Sequence, residues 1–187
     1  MKLNLGCGYS RLEGWLNVDK ASACSPDQVV DLEQPPWPFE DNSADEVLLS
    51  HVLEHLGAEP DVFFAIVKEL YRVCRHGAEV RIHVPHPRHD DFINDPTHVR
   101  AITPDLLCLF SKRQNRIWQE NRASNTLLAF YLDVDFEVKK ASSVLDPRYA
   151  DALSRGQIAE AQLDEMARSY NNVIREYAIT LEAIKHP

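Results

Sequence analysis

Four short apolar segments occupy the first fifty residues, and each of them ends in or next to a glycine, an acidic residue or a polar residue. They span residues 2–5, 15–19, 28–32 and 45–50. Apolar runs of this length, bounded by turn-forming residues, predict buried β-strands. A parallel arrangement normally needs a connection of a dozen or more residues, yet only residues 9–16 separate Gly8 from Asn17. We therefore expect a sheet whose first crossover is shortened.

Beyond residue 60 the sequence alternates helical and extended patterns. The predicted elements are a helix over 60–74 that stops at His76-Gly77, a strand over 78–84, a helix starting at Thr103, strands over 135–144 and 173–184, and a helix over 157–170 between those strands. Apolar side chains of that last helix should cover the sheet. Strands separated by helices or short loops indicate one α/β domain over residues 1–187, with a largely parallel sheet between helical layers.

The acidic side chains are concentrated in the N-terminal third. Residues 1–66 contain three basic and twelve acidic side chains, which accounts for the whole net charge of −9. Such a surface repels a phosphate backbone, so a nucleic-acid partner is disfavoured. One basic cluster stands apart from this acidity and consists of Lys112, Arg113, Arg116 and Arg122. Such a cluster is typical of a solvated helix face, and the alternative is a binding site for a phosphorylated or anionic acceptor.

The cysteines and the hydropathy pattern bear on the compartment. Four widely spaced cysteines form no CxxC pair, so neither a zinc ribbon nor a disulfide framework is indicated. The apolar run after Met1 stops at Leu5, unlike a signal peptide, and no run approaches the ~18 residues of a membrane span. We expect a cytoplasmic protein without a membrane partner.

The strand ends predict a ligand site. In an open parallel sheet, ligands bind beyond the carboxyl ends of the strands. These ends carry Gly6-Cys7-Gly8, Asp19, Asp31-Leu32 and Ser50-His51. Glycines let a ligand touch the backbone, the Asp19 carboxylate can accept both hydroxyls of a ribose, and Asp31 and Leu32 can flank a base. The spacing of the acidic strand ends carries more weight than the short glycine motif.

Several segments in order resemble one known family. "LNLGCGYS", "GWLNVD", "VVDLEQPPWPF", "SADEVLLSHVLEHL" and "LYRVCRHGAEVRIHVPHP" are similar to the class I S-adenosylmethionine-dependent methyltransferases, in particular to small members with NLGCG and SHVLEH motifs. The resemblance covers about residues 2–112. It implies a Rossmann-like methyltransferase fold with a seven-stranded sheet in the order 3-2-1-4-5-7-6, its last strand antiparallel.

The resemblance also implies roles for individual residues toward the cofactor S-adenosylmethionine. Gly6, Cys7 and Gly8 would contact its methionine part, Asp19 its ribose, Asp31 and Leu32 its adenine, and Ser50 and His51 its methyl group. Two positions depart from the family pattern. Asn4 stands where an acidic residue is common, and Ser10 stands at the third glycine position. Asn4 can still bind the cofactor by hydrogen bonds, but it brings no charge to the ammonium group.

A second interpretation involves a metal. His51-Val52-Leu53-Glu54-His55 has the spacing of the H-x-x-E-H metalloprotease motif, which needs to lie within a helix; here it begins at a strand end. The loop 85–103 is rich in histidine and aspartate, and His83, His86, His89, His98, Asp90, Asp91 and Asp95 have the chemistry of metal ligands. The alternative function is therefore a metal-dependent hydrolase or metal-binding protein that uses residues 83–98. The leading interpretation assigns no metal ligand.

The leading hypothesis is a methyltransferase that acts on an oxygen or nitrogen of a small or saccharide-like acceptor. The sulfonium is already activated, so the protein mainly aligns acceptor, methyl group and sulfur. Removing a proton from a hydroxyl acceptor calls for a base of near-neutral pKa. His51 is the first candidate, with His86 and His98 as alternates, and residues 85–103 form an acceptor-side loop or lid. A homodimer is a further option.

Overall fold

In the computed structural model, which describes residues 1–185, one seven-stranded sheet organises the chain. Its strands are β1 (Lys2–Leu5), β2 (Leu16–Asp19), β3 (Gln28–Val29), β4 (Ala44–Ser50), β5 (Cys74–Pro85), β6 (Phe136–Leu145) and β7 (Ile174–Ala183). The order across the sheet is β3-β2-β1-β4-β5-β7-β6. Strands β1 to β5 are parallel, and β7 is antiparallel to both β5 and β6. The predicted Rossmann-like order is confirmed.

The α-helices that flank this sheet all follow β4 in the sequence. They are α1 (Pro60–Val73), α2 (Asp90–Ile93), α3 (Pro104–Cys108), α4 (Lys112–Glu120), α5 (Leu128–Leu132), α6 (Pro147–Ser154) and α7 (Glu160–Ser169). α1 buries one apolar face in the core, through Phe63, Ile66, Val67, Leu70 and Val73. No α-helix lies in the described chain between β1 and β4. The one helical segment described there is a short 3₁₀ turn, Ser22–Cys24.

A polar network takes the place of the missing first crossover helix. The buried Asn4 amide donates to the Ser10 carbonyl (3.0 Å) and to Asn17 Oδ1 (2.9 Å). Asn17 in turn binds the backbone of Leu12 and the carboxylate of Asp27. Buried polar groups persist only when they are hydrogen-bonded, and here the bonds fix the path of residues 9–15. The shortened connection is thus an ordered loop.

Two boundaries differ from the predicted ones. β3 ends at Val29, not at residue 32, because the chain then turns around Asp31, whose Oδ1 accepts the Glu33 N–H (3.0 Å). α1 ends at Val73, and the backbone becomes extended at Cys74 (ψ 134°), where β5 begins by pairing with Ala44. The predicted stop at His76-Gly77 therefore lies inside a strand.

The C-terminal region corrects one further expectation. Both strands lie within one residue of their predicted bounds, and α7 lies within the helix predicted over 157–170, but a further helix that was not predicted, α6, precedes it. No residue of α7 is buried, so the prediction that it covers the sheet is wrong. Its C-terminal end is held by the Arg88 guanidinium, which donates to the carbonyls of Ala167 and Arg168. No helix of the described chain is long and apolar enough to cross a membrane.

Candidate functional site

A cavity of about 400 Å³ opens at the carboxyl ends of β1 to β4. Its walls come from four consecutive strand ends and one later loop. The lining residues are Gly6, Asp19, Lys20, Val30, Asp31, Leu32, His51, Val52, His55, Leu56 and Thr97. This volume lies in the range of small-molecule sites. The edge of the sheet predicted to bind a ligand is therefore the edge that carries the cavity.

The Asp19 carboxylate is fixed at the end of β2 by two backbone donors. Its Oδ2 accepts the Gly8 N–H and its Oδ1 accepts the Ala21 N–H, each at 2.8 Å. Each carboxylate oxygen has a second lone pair, and the side chain also lines the cavity. Asp19 can therefore accept a pair of neighbouring hydroxyls without losing its own support.

The glycine turn after β1 brings backbone close to the cavity. Gly6 has φ +68°, and a Cβ added there would lie 2.5 Å from Val52 Cγ2. Only glycine combines that backbone conformation with such close contact. The backbone of Gly6 thus forms part of the wall next to Val52.

A buried tryptophan supports the segment after β3. Trp37 is 2% exposed, and its Nε1 donates to the Leu32 carbonyl (3.0 Å). Arg72 on α1 donates to the carbonyls of Trp37 and Phe39 and pairs with Glu69, whose hydrogen bond raises the pKa of the Arg72 guanidinium. These bonds anchor the loop that holds Asp31 and Leu32 against the cavity.

His51 occupies a special backbone position at the end of β4. Its N–H donates to the His83 carbonyl (2.8 Å), which prolongs the β4–β5 ladder by one residue, and its φ is +55°. Such a conformation is uncommon outside glycine, although histidine is among the residues that adopt it more readily. The turn directs the chain into the 3₁₀ turn Leu53–His55, so that Val52, His55 and Leu56 join the cavity wall.

Two carboxylates act on the His51 ring. Glu176 Oε2 lies 2.9 Å from Nε2, whereas Glu54 Oε1 lies 3.6 Å from Nδ1. The longer distance exceeds a hydrogen bond, so Glu54 acts mainly as a nearby negative charge. Glu54 first, and then Glu176, raise the pKa of His51 above its ordinary value, against the opposing effect of partial burial. Glu176 also binds His83 Nδ1 (2.9 Å) and thus joins two histidines.

The structure brings part of the predicted site together and leaves the rest elsewhere. Gly6, Asp19, Asp31, Leu32 and His51 line one cavity. The residues outside its wall are Asn4, Cys7, Gly8, Ser50, His86 and His98. Asn4 is turned toward Asn17, and Gly8 supports Asp19 through its N–H. Cys7 is buried next to the wall, where burial raises the pKa of its thiol.

The predicted cluster of loop histidines and aspartates does not converge on one point. His83 binds Glu176, the His86 ring lies 4.9 Å from the Tyr177 ring, and His89 lies between Asp91 and Asp146. The loop is also not structureless, because it contains α2, whose first turn His89 caps by accepting the Asp91 N–H. A metal site built from residues 83–98 alone is therefore not supported by this arrangement.

The dependence of protein stability on pH tests whether His86 is buried in its neutral form. It is 7% exposed, and its Nδ1 accepts the Arg88 N–H (3.1 Å), which suits the neutral ring. Burial, with Arg88 and His89 nearby, lowers the pKa of His86 below the ordinary 6.5. The neutral ring therefore contributes stability above pH 6.5 that is lost as pH falls through its folded pKa.

We expect urea unfolding between pH 4 and 8 to show this loss relative to a His86→Asn variant, whose amide oxygen keeps the acceptor but does not titrate. The difference in unfolding free energy between the two proteins should change below about pH 6.5 and stay constant above it. A constant difference over the whole pH range would contradict a buried neutral His86.

Several lining residues carry no recognisable signal in the sequence. Val30, Val52 and Leu56 look like ordinary core positions, and Thr97 lies in a polar loop. Glu176 is 125 residues from His51 in the chain and reaches it because β7 inserts next to β5, where Pro85 pairs with Glu176. Only the fold places these residues at the site.

Comparisons with known proteins agree with this architecture. Residues 7–82 match a family model described as a methyltransferase domain. A SAM-dependent methyltransferase from Archaeoglobus fulgidus is 18% identical, with a TM-score of 0.63 over 97% of this chain and 85% of that one. A SAM-dependent methyltransferase from Methanosarcina mazei is 14% identical, with a TM-score of 0.57 over 99% and 92%.

The [4+2]-cyclase SpnF shares the fold as well, at 15% identity and a TM-score of 0.55 over 99% of this chain and 75% of that one. No curated protein matches the sequence. Identities this low establish the shared fold alone, and fold does not decide the reaction. The match over residues 7–82 is to a methyltransferase domain, and the chain shares the seven-stranded fold of these SAM-dependent methyltransferases.

Proposed function

We propose that this protein transfers the methyl group of S-adenosylmethionine to an oxygen or nitrogen of a small or saccharide-like acceptor. The observation that carries the proposal is the cavity that runs along the sheet edge past Asp19, Gly6 and His51. It combines a diol-binding carboxylate, a glycine backbone and an imidazole within one space. An acceptor would enter from the side of His51, with residues 85–103 as its loop or lid.

The residues present fit the cofactor. Asp19 would hold the ribose, since both its oxygens keep a free lone pair while backbone donors fix their positions. Gly6 would let the methionine part approach the backbone, and Asp31 with Leu32 would flank the adenine. When bound, S-adenosylmethionine supplies a methyl group already activated by its positively charged sulfur. Two carboxylates in the wall suit that positive charge.

His51 would receive the acceptor's proton at Nδ1. The Glu176 carboxylate can only accept, so the neutral His51 ring must donate from Nε2 and keep its lone pair on Nδ1. This is the arrangement in which a carboxylate orients a histidine base. With a hydroxyl acceptor, Nδ1 of His51 would take up the proton that the acceptor oxygen loses, and the bound cofactor would supply the methyl group. His86 and His98 lie outside the cavity wall, and we assign them no proton transfer.

Charge supports a small acceptor over a nucleic acid. The predicted basic cluster is partly neutralised, because Lys112 pairs with Asp133 (2.6 Å) and Arg113 pairs with Glu137 (2.9 Å). Each pair offsets one positive charge of the cluster and so reduces its net attraction for phosphates. The acidity of residues 1–66 acts in the same direction.

A thermal-shift experiment tests the cofactor part of this function. S-adenosylhomocysteine at a hundred times its dissociation constant stabilises the folded state by about 2.7 kcal/mol, so the Tm should rise by roughly 5–10 °C. Adenosine alone should give a smaller shift, because it lacks the part that meets the glycine turn. No shift with S-adenosylhomocysteine at millimolar concentration would overturn the proposal.

Labelled methyl donor then tests the acceptor. Incubation with a cell extract separated into small molecules, glycans and nucleic acids should leave label in one of the first two fractions. Label confined to nucleic acid would contradict the proposed acceptor class. Binding of S-adenosylhomocysteine without transfer to any fraction would indicate a cofactor-binding protein without this activity.

A further inference from the structure

Glu54, His55 and His98 form a cluster that the proposed function does not use. Each offers one ligand atom, and the three atoms lie within 4.8 Å of one another. Glu54 and His55 come from the 3₁₀ turn after β4, and His98 comes from the loop 85–103. The loop is tied to this turn, since the N–H groups of Val99 and Arg100 both donate to the Glu54 carbonyl.

The hydrogen bonds of His98 determine which of its nitrogens is free. Nδ1 lies 2.9 Å from the Phe92 carbonyl, which can only accept, so Nδ1 carries the proton. In the neutral ring the lone pair is then on Nε2. The side chain is 7% exposed and stacks on Phe92, so its orientation is fixed.

The same reasoning fixes His55. The Thr97 hydroxyl donates its single hydrogen to Asp95 Oδ1 (2.6 Å), so its oxygen must accept from His55 Nδ1 (2.9 Å). The lone pair of neutral His55 is therefore on Nε2. Metal-binding histidines show this pattern, with one ring nitrogen donating to an oxygen and the other left for the ion.

The buried environment of Glu54 is a second argument for a bound ion. Its side chain is 1% exposed, and among residues 1–185 neither carboxylate oxygen has a hydrogen-bond partner. A buried carboxyl group without a hydrogen bond is costly unless a proton or a cation compensates it, and the His51 ring, whose Nδ1 lies 3.6 Å from Oε1, is too far away to supply that hydrogen bond. Here it faces two imidazoles whose own protons point away from it. Three acceptors facing one another favour a positive ion between them.

We propose that Glu54, His55 and His98 bind a divalent transition-metal ion. Two imidazoles and one carboxylate suit Zn²⁺, Mn²⁺, Fe²⁺ or Co²⁺, and leave further coordination positions open. Atoms no more than 4.8 Å apart place an ion at their centre within about 2.8 Å of each, and small side-chain rotations would shorten this to the ~2.0–2.2 Å of metal bonds.

The position of the ion narrows the acceptor class. Of the three residues, His55 also lines the cavity, so an ion bound by its ring would lie at the cavity wall that His51 shares. Given the proposed methyl transfer, an acceptor that offers oxygen ligands, such as a polyol or a hydroxy acid, would be held there by the ion. The binding of the ion itself does not depend on the proposed function.

Direct titration tests the site. The full-length protein, stripped with a chelator and free of cofactor, is titrated with Co²⁺ by calorimetry and by its visible absorption. We expect one ion per chain, with His98→Ala and Glu54→Gln each weakening binding at least ~100-fold. His76→Ala, which removes an exposed histidine of β5, should bind as the wild type does.

The outcomes separate the possibilities. Absence of stoichiometric binding in the wild type, or wild-type affinity in the Glu54→Gln and His98→Ala variants, overturns the site. Binding of S-adenosylhomocysteine in chelator, measured on each variant, shows that it is folded. Metal binding without S-adenosylhomocysteine binding would sink the proposed function and leave the metal site standing.

Discussion

Replacing Asp19 with alanine should weaken S-adenosylhomocysteine binding at least ~100-fold. The carboxylate would accept both ribose hydroxyls, and hydrogen bonds to a charged group contribute about 1.5–3 kcal/mol each, so two of them correspond to two or more decades of affinity. The variant also loses the acceptors for the Gly8 and Ala21 N–H groups, which loosens the glycine turn. Calorimetric titration measures the effect.

Two controls isolate the carboxylate. Asp151→Ala removes a carboxylate on α6 that is 69% exposed and pairs with Arg155, so the affinity of this variant for S-adenosylhomocysteine should equal that of the wild type. Asp19→Asn keeps the size of the side chain but replaces one acceptor by a donor, so it should resemble Asp19→Ala. Affinity of Asp19→Ala within threefold of the wild type would remove Asp19 from the ribose site.

Gly57→Ala should be among the most destabilising single substitutions in this protein. Gly57 has φ +66°, and an added Cβ would lie 2.6 Å from the Phe63 Cα and 2.7 Å from the Phe63 nitrogen. A backbone overlap of this kind cannot be relieved by a side-chain rotation, so the start of α1 must move. We expect a loss of roughly 3–5 kcal/mol, which lowers the Tm by about 6–20 °C.

Gly156→Ala is the matched control. Gly156 has the same φ of +66°, but an added Cβ meets nothing within 4 Å. The Gly156→Ala variant should therefore lose only about 1–2 kcal/mol of unfolding free energy, which is the cost of the left-handed backbone conformation for alanine. The difference between the two variants measures the contact with Phe63. Equal losses in thermal and urea unfolding would contradict that close contact.

The sheet edge was predictable because strand periodicity is a local property. Gly6, Asp19, Asp31 and His51 follow apolar segments, and parallel strands place their carboxyl ends together. The limits of those segments were less predictable: Val30 and Leu32 continue the apolar pattern of a strand, but the turn made by Asp31 ends the strand at Val29. Cys74 was assigned to the helix because its apolar spacing continued, whereas pairing with Ala44 makes it a strand.

Contacts between side chains that are distant in the sequence could not be predicted from local sequence patterns. Asn4 occupies a position typical of cofactor contact, yet Asn17 and the short loop bind its amide. α7 has apolar residues at helical spacing, but none of its residues is buried. The meeting of Glu54 and His55 with His98 depends on the path of a loop more than forty residues away, which no local pattern indicates.

The insertion of β7 between β5 and β6 has a consequence for synthesis of the chain. The residues predicted to hold the cofactor precede residue 60, so that half of the sheet can begin to assemble while the rest is still being translated. Glu176 lies on the last strand of the sheet and orients His51 from 125 residues away. A nascent or prematurely terminated chain that lacks β7 would leave His51 without this carboxylate. Given the proposed role of His51, the hydrogen bond that orients its ring would thus be available only after β7 has been synthesised.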